Sequence, residues 1–199
     1  DGLAQNQASA ILIYSYLDGR SWQQVLNTEV DTVTVPSAPT AGGVFGSYIV
    51  MGAEHIWAGP DHLLFVLGLV LLVVGFRSLL VTVTSFTVGH SVTLAMVTLG
   101  VFDYPVALVE FLIALSILVL ALEVNAAKPG WFARFPWAVA LGFGLLHGMG
   151  FAGALGEVGL PQGQVPLALL SFNIGIELGQ IAFILLVLAT GFLVRRYLT

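Results

Sequence analysis

Residues 54–76 read EHIWAGPDHLLFVLGLVLLVVGF. The apolar run after His62 is typical of a membrane-embedded segment, and the Gly59-Pro60 pair before it breaks a helix. Ionisable groups cost several kcal/mol in hydrocarbon, so His55, Asp61 and His62 are unusual neighbours for such a run. Because imidazole is the commonest protein metal ligand, the stretch predicts a membrane segment that carries a metal or proton site.

The composition of the whole chain indicates a polytopic membrane protein. The 199 residues are 58% hydrophobic and 9% charged, and the mean hydropathy is +0.98. No soluble globular domain needs so much apolar surface. The absence of cysteine excludes disulfides, thiolate metal sites and iron–sulfur clusters. With only six Lys and Arg residues, nothing indicates nucleic-acid binding.

The first part of the chain differs from the rest. Residues 10–16 are strand-like and Asp18-Gly19 is a turn signal. Residues 36–43 are rich in Pro, Ala and Gly and are typical of a linker. We therefore predict a short β-like N-terminal segment with its linker over residues 1–43, and a helical transmembrane domain over residues 44–199.

Six apolar segments follow the linker, over roughly 44–58, 61–76, 79–101, 105–126, 135–155 and 164–195. They predict an all-α polytopic membrane protein with a bundle of five to six transmembrane helices. The first segment decides the count, because it is shorter than the roughly 20 residues of a full span and carries Glu54 and His55.

The charged residues between the segments predict the orientation. The acidic turns hold Asp103 and Glu157, and the basic residues lie at the opposite ends of the segments: Arg77, Lys128, Arg134, Arg195 and Arg196. The positive-inside rule places the basic set in the cytoplasm. If all six segments span, the N-terminus is cytoplasmic. If residues 44–58 are only half-inserted, five helices span and the N-terminus is extracytoplasmic, which the strand-and-turn character of the N-terminal segment favours.

The histidines are expected to share one depth. With a rise of about 1.5 Å per residue, His62, His90 and His147 lie about 21, 17 and 18 Å from the basic ends of their helices. Glu177 lies about 18 Å from the outer end of the last helix. Several helices therefore deliver polar groups to one layer of a hydrocarbon core about 30 Å thick.

The pattern His55-x5-Asp61-His62 is the strongest candidate for a metal site. Nitrogen and carboxylate ligands suit nickel, cobalt, zinc or iron, and they lack the soft sulfur that Cu(I) favours. A break at Gly59-Pro60 would fold His55 back toward the other two residues. The alternative is that Asp61 only caps a helix and that His55 is an interfacial polar group.

His90 and His147 lie in two further helices. For His90, the alternative role is a hydrogen bond that holds neighbouring helices together. His147 lies between Gly144 and Gly148, and this small-residue spacing is typical of close helix packing. A histidine on such a face indicates that the packed face is polar, which favours a site.

The last helix carries a polar stripe. Asn173, Glu177 and Gln180 share one helix face, which is expected to line the bundle interior or a water-filled cavity. Glu54 and Glu110 are further supporting carboxylates. Glu110 is predicted to be near the outer surface, where the alternative is simple solvation.

Five motifs together resemble the HupE/UreJ membrane proteins over about residues 44–190. They are His55-x3-Gly59-x-Asp61-His62-Leu-Leu-Phe, Phe86-Thr-Val-Gly-His90-Ser-x-Thr, Val109-Glu110-x3-Ala-Leu-Ser116, Phe143-Gly-Leu-Leu-His147-Gly-x-Gly-Phe and Phe172-Asn173-x-Gly-x-Glu177-x-Gly-Gln180. The resemblance implies a nickel or cobalt permease of the bacterial inner membrane with an extracytoplasmic N-terminal region. Related nickel permeases carry His-x4-Asp-His, so the spacer here is one residue longer.

Three functions are compatible with these residues. In a permease, His55, Asp61 and His62 would capture a divalent ion, and the other histidines would pass it on along a path lined by Asn173 and Glu177. In a zinc-dependent intramembrane hydrolase, three histidines and a carboxylate would hold the metal. In a structural subunit, apolar faces would pack against a homo-oligomer or a larger membrane complex.

These functions predict different structures. A permease should carry polar residues from His147 and Glu177 toward Arg77 and Lys128. A hydrolase should have a closed metal site with one open coordination position and a lateral opening to lipid.

Overall fold

The computed structural model of the protein describes residues 10–15, 21–26, 40–127, 130–158, 161 and 163–198. Most of these residues are helical. The helices are α1 Ala41–Ala58, α2 Pro60–Leu72, α3 Phe76–Thr98, α4 Val106–Val124, α5 Trp131–Arg134, α6 Pro136–Val158 and α7 Val165–Leu198. Two strands precede them, β1 Ala10–Ser15 and β2 Ser21–Leu26.

The two strands form an antiparallel pair in which Ala10 lies opposite Leu26 and Ser15 lies opposite Ser21. The turn that the sequence predicts at Asp18-Gly19 lies outside the described residues. Helix α1 begins at Ala41, inside the predicted linker. The reason is a capping interaction, since the Thr40 hydroxyl oxygen accepts a hydrogen bond from the Gly43 N–H at 3.1 Å.

The chain is a multi-pass helical membrane protein. Among the described residues, α3, α4 and α7 are long and apolar enough to cross a membrane, and α1 with α2 passes the same test as a pair bent by 76°. By length and composition alone the count is therefore three to four, below the predicted five to six. One reason is that α2 ends at Leu72 and is only about 20 Å long. Another reason is that the apolar stretch of α6, Pro136–Phe151, is shorter than a full span.

The bundle has a mostly apolar core that also holds several polar side chains, and its outer surface is apolar. The buried polar side chains are His62, Thr82, Thr87, His90, Thr93, Ser116, His147, Ser171 and Gln180. Large apolar side chains such as Leu71, Leu122 and Phe192 are more than half exposed. Because exposed apolar surface is stable only out of water, these faces contact the lipid chains.

Helices α3 and α6 pack closely and run in the same direction. At Gly144, an added Cβ would lie 2.1 Å from the Phe86 carbonyl oxygen. At Gly148, four residues later, it would lie 2.2 Å from the His90 carbonyl oxygen. Only glycine allows such close backbone approach, so the two helices meet along a small-residue face.

Helix α1 runs alongside α7 in the same direction. At Gly175, an added Cβ would lie 2.1 Å from the Ile49 carbonyl oxygen. Farther along both helices, the rings of Trp57 and Phe183 are 6.0 Å apart. Because α7 follows α6 after a short connection, α7 and α1 both run opposite to α3 and α6.

The chain bends by 76° between α1 and α2, and α2 then crosses the bundle. It runs alongside α4, since Gly68 faces Leu120 and, toward the start of both helices, Asp61 and Glu110 line one cavity. Helix α4 follows α3 after a short connection and therefore also runs opposite to it. The bent pair is consequently one broken span that crosses the bundle.

The described arginines of the helices collect at one end of the bundle, which we call the basic end. It lies where α3 and α6 begin and α7 ends, and it holds Arg77, Arg134, Arg195 and Arg196. Lys128, which the sequence also predicts at this end, lies outside the described residues.

Candidate metal site

The break between α1 and α2 brings His55, Asp61 and His62 together. Gly59 is the only residue between the two helices, and Pro60 is the first residue of α2, where its missing N–H costs nothing. The ring centroids of His55 and His62 are 4.5 Å apart. The space at Gly59 is tight, because an added Cβ would lie 2.7 Å from His62 Nδ1 and 2.9 Å from Asp61 Oδ1.

Asp61 orients the His62 ring. Its Oδ1 lies 3.1 Å from His62 Nδ1. When Nδ1 carries the proton and donates to the carboxylate, Nε2 carries the lone pair. Within the described part of the chain, His62 Nε2 is buried without a hydrogen-bond partner. A carboxylate that fixes the far side of a histidine is typical of metal sites.

His90 comes from α3 and is fully buried. Its ring centroid lies 5.9 Å from that of His55 and 6.2 Å from that of His62. In the described residues neither ring nitrogen makes a regular hydrogen bond. Asn173 of α7 is the polar side chain next to the ring. The alternative role of His90, a hydrogen bond that holds neighbouring helices together, is therefore poorly supported.

His147 comes from α6 and is 1% exposed. Its Nε2 lies 3.1 Å from the Ser116 hydroxyl oxygen on α4. The Ser116 hydroxyl donates its one proton to the Ile113 carbonyl oxygen at 2.6 Å. Ser116 therefore accepts from His147 Nε2–H, which leaves the lone pair on Nδ1. In the described structure that Nδ1 is also buried without a partner.

Two groups of three side chains place their ligand atoms within 4.8 Å of one another. The cavity group is Asp61, His62 and His147, and the His90 group is His55, His62 and His90. The cavity group offers two imidazole nitrogens and a carboxylate, the His90 group offers three imidazole nitrogens, and both sets suit nickel, cobalt or zinc. Since the unpaired ring nitrogens lie at these positions, the side chains fit a divalent ion.

The depths of His62 and His90 differ from the sequence estimates, that of His90 because its helix begins at Phe76 and not at residue 79. His62 lies about 15 Å from the end of its helix instead of about 21 Å, because α2 ends at Leu72. His90 lies about 21 Å from the start of α3, and His147 lies about 17 Å from the start of α6. The three rings nevertheless contact one another.

Two cavities reach the histidines from the side of the break. One, of about 330 Å³, is lined by the whole cavity group, by His55 and by Glu110. The other, of about 350 Å³, is lined by Glu54 and His55. The Phe151 ring borders both cavities and lies 3.9 Å from the His55 ring, between centroids. The first cavity thus carries two carboxylates on its wall, Asp61 and Glu110, and the second carries one, Glu54.

The polar stripe of α7 divides into two parts. Asn173 lies beside His90, whereas Glu177 and Gln180 contact the threonines of α3. Thr84 and Thr87 each donate a hydroxyl hydrogen bond to the Glu177 carboxylate. Glu177 is therefore not a member of either ligand group.

Sequence reasoning gave no role to Thr84, Ser116 or Phe151. Thr84 and Thr87 are three residues apart and so share a helix face, which is the signal that would have paired them with the α7 stripe. Ser116 and Phe151 carry no such signal, because their contacts depend on how α4 and α6 pack.

The comparisons with known proteins agree with the motifs. No curated protein and no solved structure matches the chain. The family described as HupE / UreJ protein matches residues 30–199, which is most of the chain and the whole helical bundle. The resemblance of the five motifs is thereby confirmed, and the chain belongs to the HupE/UreJ family of membrane proteins.

Proposed function

We propose that the protein is a permease that binds a divalent transition-metal ion at an intramembrane His/Asp site. The observation that carries the proposal is the pair of ligand groups that share His62 inside the bundle. Unpaired polar atoms cost several kcal/mol inside a membrane, and a bound cation accounts for the unpaired ring nitrogens. Nickel or cobalt is the proposed cargo, because HupE/UreJ proteins are generally nickel or cobalt transporter-like.

The proposed arrangement has five spans in a bacterial inner membrane. They are the broken pair α1–α2 together with α3, α4, α6 and α7. The clustering of arginines at one end supports a cytoplasmic basic end and C-terminus. An odd number of spans then places the N-terminal segment, up to about residue 43, outside the cytoplasm.

The proposed path begins at the cavity that Glu110 borders. A divalent ion is attracted by this carboxylate and enters the cavity group, whose three side chains all line the same space. From there it passes to the His90 group by exchanging Asp61 and His147 for His55 and His90. The exchange is short, because the His55 and His90 ring centroids lie 4.5 and 6.2 Å from that of the shared His62.

The test is the substitution His62→Ala, since His62 belongs to both groups. Purified protein is titrated with Ni²⁺ or Co²⁺, and uptake is measured in proteoliposomes that contain a metal-sensitive dye. We expect the wild type to bind and take up the ion, and His62→Ala to lose both activities. Asn125→Ala is the matched control, because that side chain bonds only the Ala121 carbonyl oxygen near the basic end.

Two outcomes contradict the proposal. Wild-type uptake without any dependence on His62 rules out this site as the path. Binding that depends on His62, together with no uptake by the wild type, favours a static metal site. Thermal unfolding of His62→Ala in detergent distinguishes loss of the site from loss of the fold.

A second candidate function is a metal-dependent hydrolase, which the cavity of about 330 Å³ beside the cavity group favours. The cavity is large enough for a small substrate, and Ile113, Ala114 and Ile117 give it an apolar wall. The two functions predict different directions for the polar residues that lead away from the metal site. Glu177 and Thr84 lie on the basic-end side of the histidines, as a permease requires.

A further inference from the structure

We propose that Glu177, Thr84, Thr87 and Gln180 form a second cation-binding position, lined by oxygen alone, on the basic-end side of the His90 group. We call it the oxygen station. It is separate from both ligand groups, and an ion that leaves the nitrogen ligands would pause there. The inference rests on the proposed transport function, to which the oxygen station adds a further ion-binding step and a direction of travel.

The oxygen atoms of these four side chains converge. Thr84 Oγ1 donates to Glu177 Oε1, and Thr87 Oγ1 lies within hydrogen-bond distance of Glu177 Oε2. Thr87 Oγ1 also lies 3.0 Å from Gln180 Oε1. Thr87 has one hydroxyl proton for several acceptors, so part of this oxygen cluster lacks a donor. A cation satisfies all of these acceptors at once.

The charge of Glu177 also indicates a ligand. A carboxylate inside a membrane is costly and is usually paired with a cationic group. In the described part of the chain, the partners of Glu177 are neutral hydroxyls. If the contact served only to hold α3 against α7, a glutamine could also hydrogen-bond both hydroxyls, accepting from one and donating to the other, without the charge.

The position of the oxygen station fits an exit from the histidines. Thr87 and Thr84 precede His90 on α3 by about 4.5 and 9 Å, in the direction of the basic end. Asn173 connects the two levels, since it lies beside His90 and one turn from Glu177 on α7. Its amide oxygen is buried without a hydrogen-bond partner in the described structure.

The oxygen station also has an opening of its own. Thr84 lines a cavity of about 410 Å³ between α3 and α6, which Ser85 and Trp137 also line. Trp137 is the second residue of α6, so this cavity lies toward the basic end. Neither histidine cavity is bordered by these residues. Thr84, which is exposed in this largely apolar groove, therefore connects the oxygen station to the surface of the bundle on the basic-end side.

The ligand chemistry gives the step its direction. Nickel and cobalt bind imidazole nitrogen more strongly than neutral oxygen, whereas carboxylate and hydroxyl oxygens suit harder ions. A transport path must bind its ion weakly enough to release it. A weak oxygen position after a strong nitrogen position meets that requirement.

The first experiment compares binding with transport in Glu177→Gln. Gln keeps the shape of the side chain, accepts a hydrogen bond from one threonine, donates one to the other hydroxyl, and removes the charge. We expect Ni²⁺ or Co²⁺ affinity of the purified protein to stay within about threefold of the wild type, a change below about 0.7 kcal/mol. Uptake into proteoliposomes should fall at least about tenfold, which corresponds to a barrier about 1.4 kcal/mol higher.

Thr82→Val is the matched control for the threonines of α3. Thr82 is buried on the same helix but bonds only the Ser78 carbonyl oxygen, at 2.8 Å. We expect Thr84→Val to slow uptake and Thr82→Val to leave it unchanged. Uptake of Glu177→Gln at the wild-type rate overturns the oxygen station and leaves the histidine site intact. An equal loss of binding and uptake also overturns it, because Glu177 then belongs to the histidine site.

A second experiment detects the oxygen station directly. Mn²⁺ prefers oxygen ligands and is paramagnetic. Its electron paramagnetic resonance spectrum therefore reports nitrogen ligands when they are present. In the His62→Ala protein we expect one weak Mn²⁺ position without nitrogen coupling, and we expect it to disappear in His62→Ala/Glu177→Gln. Mn²⁺ binding that persists in the double variant contradicts the proposal, as does the absence of any bound Mn²⁺ in His62→Ala.

Discussion

The broken span, formed by α1 and α2, and the continuous pair, formed by the helices α3 and α6, both supply histidines to the candidate site, but they do so differently. The broken span contributes His55, Asp61 and His62 from eight consecutive positions. Each continuous helix contributes one ring, His90 or His147. The break changes the chain direction by 76°, so residues before and after it face the same point.

The difference follows from helix geometry. On a continuous helix, residues that share a face are three or four positions apart and about 5 Å apart along the axis. Two ligands for one ion on a continuous helix must therefore be three or four positions apart, and neither His90 nor His147 has a second histidine or acidic residue at that spacing. The broken span avoids this limit, whereas the continuous pair contributes rigidity through its glycine contacts. The first region forms the site, and the second holds it at a fixed depth.

The largest expected effect is that of Gly59→Ala in the broken span. The added Cβ would lie 2.7 Å from His62 Nδ1 and 2.9 Å from Asp61 Oδ1, so the orienting contact must shift. We expect metal affinity to fall by up to about 100-fold, as when the support of a ligand is lost. Titration of the purified variant with Ni²⁺ measures it.

Gly46→Ala on α1 is the control for this change, because an added Cβ there meets nothing within 4 Å. It should bind the metal as the wild type does. Unchanged affinity in Gly59→Ala would show that the ligands tolerate displacement, and the broken span would then be no more specialised than the continuous pair.

A smaller effect is expected for Gly144→Ala in the continuous pair. Its Cβ would lie 2.1 Å from the Phe86 carbonyl oxygen, and backbone atoms cannot move aside as a side chain can. We expect the free energy of unfolding to fall by about 2 kcal/mol, as in other overpacked interiors. Thermal unfolding in detergent measures the loss.

Gly142→Ala, on the same helix, has no atom within 4 Å of its new Cβ. It should stabilise the protein by about 0.5–1 kcal/mol, because alanine is the better helix former. If both variants unfold alike, the close approach of α3 and α6 is not what holds the pair together.

The smallest expected effect is that of Ser116→Ala, which tests how far the continuous pair orients its own ligand. The variant removes the acceptor for His147 Nε2–H, so the ring is free to turn or to change tautomer. We expect affinity to fall about tenfold, the lower end for loss of an orienting contact. A greater loss than in Gly59→Ala would reverse the ranking of the two regions.

The sequence predicted which polar residues the structure brings together better than it predicted the bounds of the helices, and their binding of a metal stays a prediction. The five metal-ligand candidates lie in the two ligand groups, because histidine and aspartate in apolar runs are rare enough to be informative. The ends of α2 were wrong by a few residues, since Val73, Val74 and Gly75 continue the apolar run but are not helical. Apolar composition does not distinguish a helix from a loop in lipid.

The pairing of side chains between helices could not be predicted. Spacing places Asn173, Glu177 and Gln180 on one face of α7, but it does not say which helix that face meets. The contacts of Glu177 with Thr84 and Thr87 join residues about 90 positions apart. Such contacts depend on the packing of whole helices, which one sequence does not determine.

The sharing of His62 has a consequence for occupancy. A neutral imidazole has one lone pair, so His62 can bind one ion at a time. The cavity group and the His90 group therefore exclude each other, and a second divalent ion a few ångströms away would in addition be strongly repelled. A permease built on this histidine layer would therefore carry one ion at a time, and each ion would have to leave before the next is bound.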